Sequence, residues 1–415
     1  MNRRNFLQNS ALTTVGSLLI PDFLKAYRVT YDRVAYDERN QLGLGPTTDN
    51  VLVVVQLSGG NDGLNTVVPF RNDIYYRERP RLAIQPDSVL KISDELGFNP
   101  ALEKLKTLYD EGHVTVINNV GYPNPDRSHF RSMDIWHTAS ESNQYLNSGW
   151  VGRYLDTRCN GSCAPYNALE VDDTLSLALK GAHVKGMAVQ NPEKLYNQTQ
   201  NRFYQQLAQT NHAEFAEVAH DPFARDPVDY LYKTLSETLS SAEYIYSKSK
   251  VFRSSVSYPE SELGRRMKTV AELISSGVAT NVYYVSLSGF DTHVNQANQQ
   301  ERLLRQYAEA MHAFVNDMKQ NGQMKRVKIL TFSEFGRRVK QNASNGTDHG
   351  TANNAFLIGE KGRGVLNEGP DLTNLDEGDL KYSVDFRRLY ASLLDDWLGM
   401  PSAPILGKKF EKLTV

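Results

Sequence analysis

The sequence predicts an α/β fold in which a mostly parallel sheet has helices on both faces. Between Val51 and Val120 the chain reads as strand, helix, strand, an order that favours a parallel sheet with a right-handed crossover. The same alternation of helix and strand recurs twice between residues 264 and 336. Elements of these lengths, repeated along a chain, are typical of a doubly wound sheet.

Four segments are predicted to be strands. They are VLVVVQLS from Val51, HVTVINNV from His113, NVYYVSLSGF from Asn281 and VKILTFSEFG from Val327. The first is an apolar run that breaks into a glycine-rich turn, which is how a buried strand ends.

Four further segments are predicted to be helices that cover the sheet. NPALEKLKTLYDEG joins the first two strands, RRMKTVAELISSG and ERLLRQYAEAMHAFVNDMKQNG each stop at a glycine before a strand, and SVDFRRLYASLLDDWLG lies near the C-terminus. A glycine after the last helical turn is a common stop signal.

The N-terminal residues predict export. Residues 1–24 resemble a twin-arginine signal, because Arg3 and Arg4 precede an apolar stretch that ends before Pro21. That stretch is shorter than the roughly 20 apolar residues that span a bilayer, so we expect a periplasmic or cell-envelope protein whose signal is either cleaved or kept as an anchor. A basic amphipathic helix is the alternative interpretation of this segment.

The remaining chain is expected to divide simply. Residues 25–50 are predicted to be a linker, and residues 51–415 a single domain with a helical insertion around 167–264.

Cys159 and Cys163 are close enough to close a small disulfide loop in an oxidising compartment, and free thiols are the alternative.

Composition argues against one class of partner. The 415 residues have a formal net charge of -2, so the chain lacks the excess of basic residues that is typical of proteins that bind nucleic acid. The 22 tyrosines and 16 phenylalanines suit sugar stacking as well as a core. The oligomeric state is left open.

Polar clusters follow each predicted strand, where an open parallel sheet binds its ligands. They are GGNDGLNT, NPDRSHF, GFDTHVNQ and FSEFGRR, with a fifth, NGTDHGTANN, shortly after the last. Carboxylates and imidazoles in these clusters predict a site for a divalent metal such as zinc, manganese or calcium. The candidate ligands are Asp62, Asp291, His293, Glu334, Asp348 and His349, and the further candidates are Asn61, His129 and His137.

Ser128 is the candidate nucleophile. It stands at the start of a predicted helix, where free N–H groups and the helix dipole help to hold an anion. Arg127 and Arg131 are candidates for binding the oxygens of a phosphate or sulfate group. Each of these residues also has a structural interpretation, since Ser128 can be an N-cap, the arginines a solvated helix face, and Asp62 a turn cap.

In their order along the chain, the motifs resemble a known family. LSGGNDGLNTVVPF, PDRSHFRSMDIWHTA, GFDTH, TFSEFGRR, DHGTANNAFLIG and VDFRRLYASLLDDWLG are similar to the bacterial exported family called domain of unknown function 1501, from about residue 50 onward. That family resembles the alkaline phosphatase and sulfatase superfamily, whose members hold two metal ions at the strand ends and use a serine, threonine or modified cysteine as nucleophile. The resemblance implies an alkaline-phosphatase-like three-layer sandwich.

The resemblance also implies roles for the strand-end residues. These are a first-strand metal ligand (Asp62), a nucleophile (Ser128), a metal-binding pair (Asp291, His293) and a late metal-binding histidine (His349) with Asp348 beside it. Glu334 stands where the superfamily usually has an Asp-His pair, and pairing with Arg337 or Arg338 is its alternative role. This departure weakens one metal site, so the expected number of metals ranges from none to two.

The function expected from these features is an exported metal-dependent hydrolase of phosphate or sulfate esters. Its substrate would be a small-molecule or polysaccharide ester, in which a serine attacks the phosphorus or sulfur atom in line and displaces the leaving group. The alternative is an enzyme-like fold without catalysis that binds a polysaccharide, a cell-envelope component or a protein partner.

Overall fold

The computed structural model describes residues 48–159, 163–209 and 226–414. The predicted export signal and nearly all of the predicted linker lie outside the described residues. Among the described residues, no helix combines the length and the apolar character that crossing a bilayer requires. Cys159 and Cys163 form a disulfide, so the first of the two alternatives for this pair is observed.

The described residues contain the following elements. The strands are β1 (Val51–Ser58), β2 (Val67–Val68), β3 (Leu90–Lys91), β4 (Gly97–Phe98), β5 (Val114–Gly121), β6 (Ala168–Glu170), β7 (Met187–Ala188), β8 (Val282–Ser288), β9 (Val327–Phe332), β10 (Asn353–Ile358), β11 (Gly364–Val365), β12 (Leu375–Asp376), β13 (Asp379–Leu380) and β14 (Val384–Asp385). The helices are α1 (Asp73–Glu78), α2 (Glu103–Asp110), α3 (His129–Thr138), α4 (Trp150–Cys159), α5 (Pro192–Thr199), α6 (Arg202–Gln209), α7 (Asp226–Ser249), α8 (Glu262–Ser275), α9 (Gln296–Gln320), α10 (Phe386–Ser392) and α11 (Ser402–Leu406), and a π-helical segment, Leu393–Trp397, continues α10.

The largest sheet in the described part of the chain has nine strands. Its order is β11-β5-β10-β9-β1-β8-β6-β7, and β14 also pairs with β5. β1 runs parallel to its neighbours β8 and β9, and β6 runs parallel to β8. β10 is antiparallel to both β5 and β9, so β5 has the same direction as β1. The predicted, mostly parallel sheet is confirmed.

β1 lies between two apolar cores. Its odd-numbered residues from Val51 to Leu57 pack with α2, α8 and α9, whereas Leu52 and Val54 pack with α3, α4 and α10. Every residue from Val51 to Val55 is at most 1% exposed. A strand buried on both sides is expected when helices cover both faces of a parallel sheet, and the predicted three layers are therefore confirmed.

The strong sequence patterns correspond to observed elements. The four predicted strands are β1, β5, β8 and β9, and each begins within one residue of its predicted start. The four predicted helices are α2, α8, α9 and α10.

Two parts of the sheet were not predicted. The region 167–264, expected to be a helical insertion, contains α5, α6 and α7 but also contributes β6 and β7 to the sheet beyond β8. β6 and β7 have three and two residues, too few to show a period in the sequence. β10 was also missed, because it inserts antiparallel between β5 and β9 without the crossover helix that a parallel strand needs.

Candidate metal centre

Four strands end, and one begins, at a single edge of the sheet. β1, β5, β8 and β9 end there at Ser58, Gly121, Ser288 and Phe332, and β10 starts there at Asn353. Polar clusters singled out in the sequence follow the four strand ends, and another precedes β10. The topology therefore brings them to the edge where open parallel sheets bind ligands.

Asp291 is the centre of what we call the histidine cluster: His129, Asp291, His293 and His349. Its Oδ1 atom lies 3.0 Å from Nε2 of His293 and 3.2 Å from Nε2 of His349. Nε2 of His129 is 3.4 Å from the same oxygen, and the Nε2 atoms of His293 and His349 are 2.9 Å apart. Three rings from separate segments thus direct the same nitrogen toward one carboxylate oxygen.

Each ring is held from behind through its other nitrogen. The Nδ1 acceptors are Glu334 Oε1 for His129 at 2.9 Å, Asp348 Oδ1 for His293 at 3.2 Å and the Arg127 carbonyl for His349 at 2.7 Å. An acceptor at Nδ1 keeps the ring proton there and leaves the Nε2 lone pair free. This is the arrangement in which imidazoles that bind metals are oriented by outer groups.

Arg337 holds Asp291 from inside the protein. Its side chain is fully buried, and Nη2 donates to Asp291 Oδ1 at 2.8 Å. The same guanidinium donates to the carbonyls of Gly60, Phe290 and Thr347 at 2.6 to 2.9 Å. With these partners fixed, Arg337 places a permanent positive charge against the carboxylate.

The charges around Asp291 keep it ionised. Burial raises the pKa of its carboxyl, but the Arg337 guanidinium, which donates to Oδ1, and the contact with the His349 ring outweigh burial and hold the pKa well below the usual range. In His129, the hydrogen bond with Glu334 raises the pKa against the opposing effect of burial. Asp291 is therefore a carboxylate at neutral pH, the form in which it can bind a metal.

The histidine cluster fits a divalent metal. Donor atoms of His129, Asp291 and His349 all lie within 4.8 Å of one another. Ligand atoms about 2 Å from a tetrahedral zinc are roughly 3.4 Å apart, near the observed separations from Asp291 Oδ1. Nε2 of His129 is buried and has no hydrogen-bond partner in the described part of the chain, and a cation would satisfy it.

Asp62 and Asn61 lie at the end of β1 but outside the histidine cluster. The fully buried side chain of Asp62 pairs with Arg79, whose Nη1 is 2.5 Å from Oδ2, and the same oxygen accepts from the Gln296 amide. Within the described residues, Oδ1 of Asp62 has no partner and no group of three potential metal ligands includes it. The side-chain amide of Asn61 bonds to Thr66 at 2.9 Å. The Arg79 guanidinium therefore pairs with Asp62, the carboxylate that was predicted as the first metal ligand.

Glu334 is placed behind His129. Its side chain is fully buried, and Oε1 accepts from the backbone N–H of Gly59 at 2.8 Å as well as contacting the His129 ring. Arg337 and Arg338, its alternative partners, instead contact Asp291 and Asp379. Glu334 therefore contacts the Nδ1 side of the His129 ring, while the Nε2 side of that ring faces Asp291.

Ser128 lies directly beside the histidine cluster. It is the N-cap residue of α3, which begins at His129, yet its side chain makes no capping hydrogen bond. The residue is exposed, and its backbone N–H donates to Asp126 at 2.7 Å. The hydroxyl is not engaged as a cap, and the exposed residue directly precedes His129 in the chain.

The two arginines near Ser128 are turned away from the cluster. Arg127 pairs with Asp379, to which Nε donates at 2.8 Å. Arg131 donates to the carbonyls of Ser142 and Gln144 at 2.9 and 2.6 Å. The structure shows both guanidinium groups in structural contacts.

His137 is brought to a different place from the cluster. It is buried in α3, where its Nε2 lies 3.1 Å from both Gln56 Oε1 and Tyr284 Oη. Burial lowers its pKa to about 4, so the ring is neutral at physiological pH.

Two residues of this region, Arg79 and Phe335, were not given a role from the sequence, and Arg337 was considered only as an alternative partner of Glu334. Arg79 and Arg337 hold the two aspartates, and the Phe335 ring packs 4.8 Å from the rings of both His129 and His349. Arg337 and Phe335 lie in the FSEFGRR motif, which was the available signal. Arg79 lies in no recognised motif.

Comparison with known proteins gives the family. The model for the family described as "Protein of unknown function (DUF1501)" matches residues 49–369. The chain belongs to this family. Most of the DUF1501 motifs expected from the sequence, including the entire histidine cluster, fall inside the matched range. By sequence, no curated protein matches the chain.

Solved structures that are similar to this DUF1501 chain include a zinc-bound periplasmic domain, a lipoteichoic acid synthase and a sulfatase. The periplasmic domain of EptC from Escherichia coli, in complex with zinc, is 12% identical over 77% of each chain, with a TM-score of 0.35. The lipoteichoic acid synthase LtaP from Listeria monocytogenes is 10% identical over 84% of this chain and 72% of its own, with a TM-score of 0.34. The PsFucS1 sulfatase from Pseudoalteromonas sp. is 10% identical over 88% and 70%, with a TM-score of 0.37.

Proposed function

We propose that the chain is an exported metal-dependent hydrolase of phosphate or sulfate esters. The observation that carries the proposal is the convergence of three imidazole Nε2 atoms on the ionised Asp291, each ring oriented by an acceptor at Nδ1. The resemblance of the DUF1501 family to the alkaline phosphatase and sulfatase superfamily supports the choice of ester.

One metal is proposed, held by His129, Asp291, His293 and His349. Three imidazoles and one carboxylate favour zinc or manganese over calcium, which prefers an all-oxygen set. Asp62 and Glu334, the candidates for a second metal site, are already paired with Arg79 and His129. When bound, the metal would supply a positive charge that stabilises the oxygens of the reacting group.

The chain's own residues supply the nucleophile and its surroundings. The exposed Ser128 hydroxyl would form the bond to phosphorus or sulfur as the bond to the leaving oxygen breaks, and its proton passes to solvent. Ser128 is the N-cap residue of α3, and the N-terminus of a helix favours an anion. Water then attacks the serine ester, which releases phosphate or sulfate and restores Ser128.

Export is supported by a feature outside the N-terminal segment. The disulfide between Cys159 and Cys163 is of a kind that persists in oxidising compartments such as the periplasm. This agrees with the twin-arginine motif predicted in residues 1–24.

A binding protein without catalysis is the second candidate. The observation that favours it is the ion pair between Arg79 and Asp62, because the two-metal arrangement of the superfamily needs that carboxylate to be free. On this alternative the histidine cluster would still bind a metal but Ser128 would have no role.

Hydrolysis of p-nitrophenyl phosphate and p-nitrophenyl sulfate separates the two candidates. We expect turnover by the wild-type protein with added zinc or manganese, reduced at least about 100-fold in Ser128→Ala and His349→Ala. His312→Ala is the matched control, since His312 lies on α9 and contacts Asn316 there. Metal binding without turnover of either ester, or equal turnover by Ser128→Ala, would favour the binding protein.

A further inference from the structure

An open cavity of about 470 Å³ lies beside the histidine cluster. Its lining includes Tyr122 and Pro125 from the segment after β5, Phe335 after β9, and Asp376, Lys381 and Tyr382 around the hairpin of β12 and β13. The Phe335 ring is shared by the two sites, because it packs 4.8 Å from the His129 and His349 rings. A molecule in this cavity would therefore touch the wall of the metal site.

The cavity is preformed. The hairpin of β12 and β13 is tied to the metal site by two contacts, from Arg127 Nε to Asp379 at 2.8 Å and from Thr351 Oγ1 to the Leu380 carbonyl at 2.5 Å. Arg127 also holds the His349 ring through its carbonyl. Arg127 thus links the hairpin wall of the cavity to the histidine cluster, and a ligand would not have to order this wall.

The lining mixes aromatic rings with hydrogen-bonding groups. The Tyr122 hydroxyl is already bonded to Ser132 at 2.9 Å, which fixes its ring in the wall. Tyr382 is 38% exposed and offers a ring to a ligand. Asp376 and Lys381, whose Nζ also donates to Asn374 at 2.6 Å, bring charged groups to the rim. A lipid tail would place these charged groups against hydrocarbon, whereas a ring with an apolar face and hydroxyl groups at its edge can contact both the aromatic and the polar parts of the wall.

The approach to the cluster is also open and partly apolar. The Asp291 side chain is 48% exposed. Phe130 and Val294, the neighbours of His129 and His293 in the chain, are 82% and 60% exposed. An open centre of this kind accommodates a chain-like substrate better than an enclosed pocket does.

We propose that this cavity binds a sugar ring, so that the ester cleaved at the histidine cluster is carried by an oligosaccharide or polysaccharide. The ring would stack on Tyr382, with its hydroxyl groups toward Lys381 and Asp376. The statement about the ester rests on the proposed function, while sugar binding itself does not require catalysis.

Isothermal titration calorimetry with defined oligosaccharides tests the proposal. The probes are a sulfated galactan hexasaccharide, its desulfated form, a uronic-acid hexasaccharide and a neutral glucan hexasaccharide. The proteins are wild type, Tyr382→Ala, Phe203→Ala and His349→Ala. Phe203 is the matched control, since it is an aromatic residue, 50% exposed, on α6. Thermal unfolding confirms that each variant is folded.

We expect wild type to bind at least one probe, with affinity reduced about 5- to 10-fold in Tyr382→Ala and unchanged in Phe203→Ala. His349→Ala should keep sugar binding while losing metal, which separates this inference from the proposed function. The inference is overturned if wild type binds none of the probes, or if Tyr382→Ala and Phe203→Ala bind equally well. Binding to anionic lipid vesicles alone would also overturn it.

Discussion

At the scale of the residue, the orientation of each imidazole is set by a group behind it. Glu334, Asp348 and the Arg127 carbonyl each occupy an Nδ1 position, so the three Nε2 atoms are directed inward by the protein itself. Such outer partners fix the ring tautomer and raise ligand basicity.

The contact between Glu334 and His129 gives the first prediction. Glu334→Gln should weaken zinc affinity by about 10- to 100-fold, because the His129 ring loses a charged acceptor at Nδ1. The affinity is measured by competition with a chelator of known strength. Glu368→Gln, at an exposed position, is the control and should bind zinc as wild type does. Equal affinities for the two variants would contradict the role given to Glu334.

The ion pair between Asp62 and Arg79 gives the second prediction. Both side chains are fully buried, so Asp62→Asn leaves a buried guanidinium uncompensated and should lower the free energy of unfolding by about 3 to 5 kcal/mol. Urea denaturation measures this loss, and Glu301→Gln in the exposed pair with Arg305 should cost less than about 1 kcal/mol. Normal stability together with lost metal would return Asp62 to the ligand role predicted from the sequence.

These two residues also show what the sequence reveals at this scale. Asp291 and His293 were singled out because they follow the recognisable strand β8, and His349 because its polar cluster comes shortly after the FSEFGRR motif; the structure brings the three residues together. Arg79 was not foreseen, since its contact with Asp62 joins positions 17 residues apart through a turn that no motif marks. Whether a carboxylate meets a metal or a guanidinium depends on such tertiary contacts, and a strand-end pattern does not encode them.

At the scale of the element, the turn after β1 determines how closely two strand ends approach. Gly59 has a φ of +114°, and a Cβ atom there would lie 2.5 Å from the backbone nitrogen of Asp291. The sequence predicted a glycine-rich turn at this strand end. The structure shows that Gly59 allows close approach of the segment after β8, which carries Asp291.

Gly59→Ala is therefore predicted to disturb the metal centre and not just the turn. We expect lost stability and at least about 10-fold weaker zinc binding, because Asp291 must shift away from the new methyl group. Gly277→Ala is the control, since Gly277 has a φ of +71° with open space around it and should cost only about 1 kcal/mol of stability. Unchanged zinc binding in Gly59→Ala would contradict this account of the turn.

Elements with long periodic patterns were predictable, and short ones were not. β1 and α9 carry enough apolar residues to reveal their type and their starts. β6, β7 and β10 owe their pairing to neighbouring strands rather than to local pattern, so tertiary context determined them.

At the scale of the whole molecule, a buried carboxyl makes stability depend on pH. Burial raises the pKa of Glu170, at the end of β6, from 4.5 to about 8. Its carboxyl accepts from the Ser176 backbone N–H at 2.6 Å. The folded protein keeps a proton that the unfolded chain releases between these two pKa values, so this residue's contribution to stability falls as pH rises through that range.

Glu170→Gln is predicted to remove that dependence. The free energy of unfolding of wild type relative to the variant should fall by up to about 1.4 kcal/mol per pH unit between about pH 5 and pH 8. Urea denaturation at pH 5, 6, 7 and 8 measures the difference. A difference that stays constant or rises with pH would show that Glu170 is ionised in the folded protein.

The central claim is that one metal is held by the histidine cluster. Plasma mass spectrometry of the purified protein, after exchange into zinc and removal of excess, tests it most directly. The account predicts about one equivalent of zinc in wild type, loss of that zinc in His349→Ala, and retention in folded Asp62→Asn and in the His312→Ala control. Two equivalents with one lost in Asp62→Asn, or no bound metal in wild type, would contradict it.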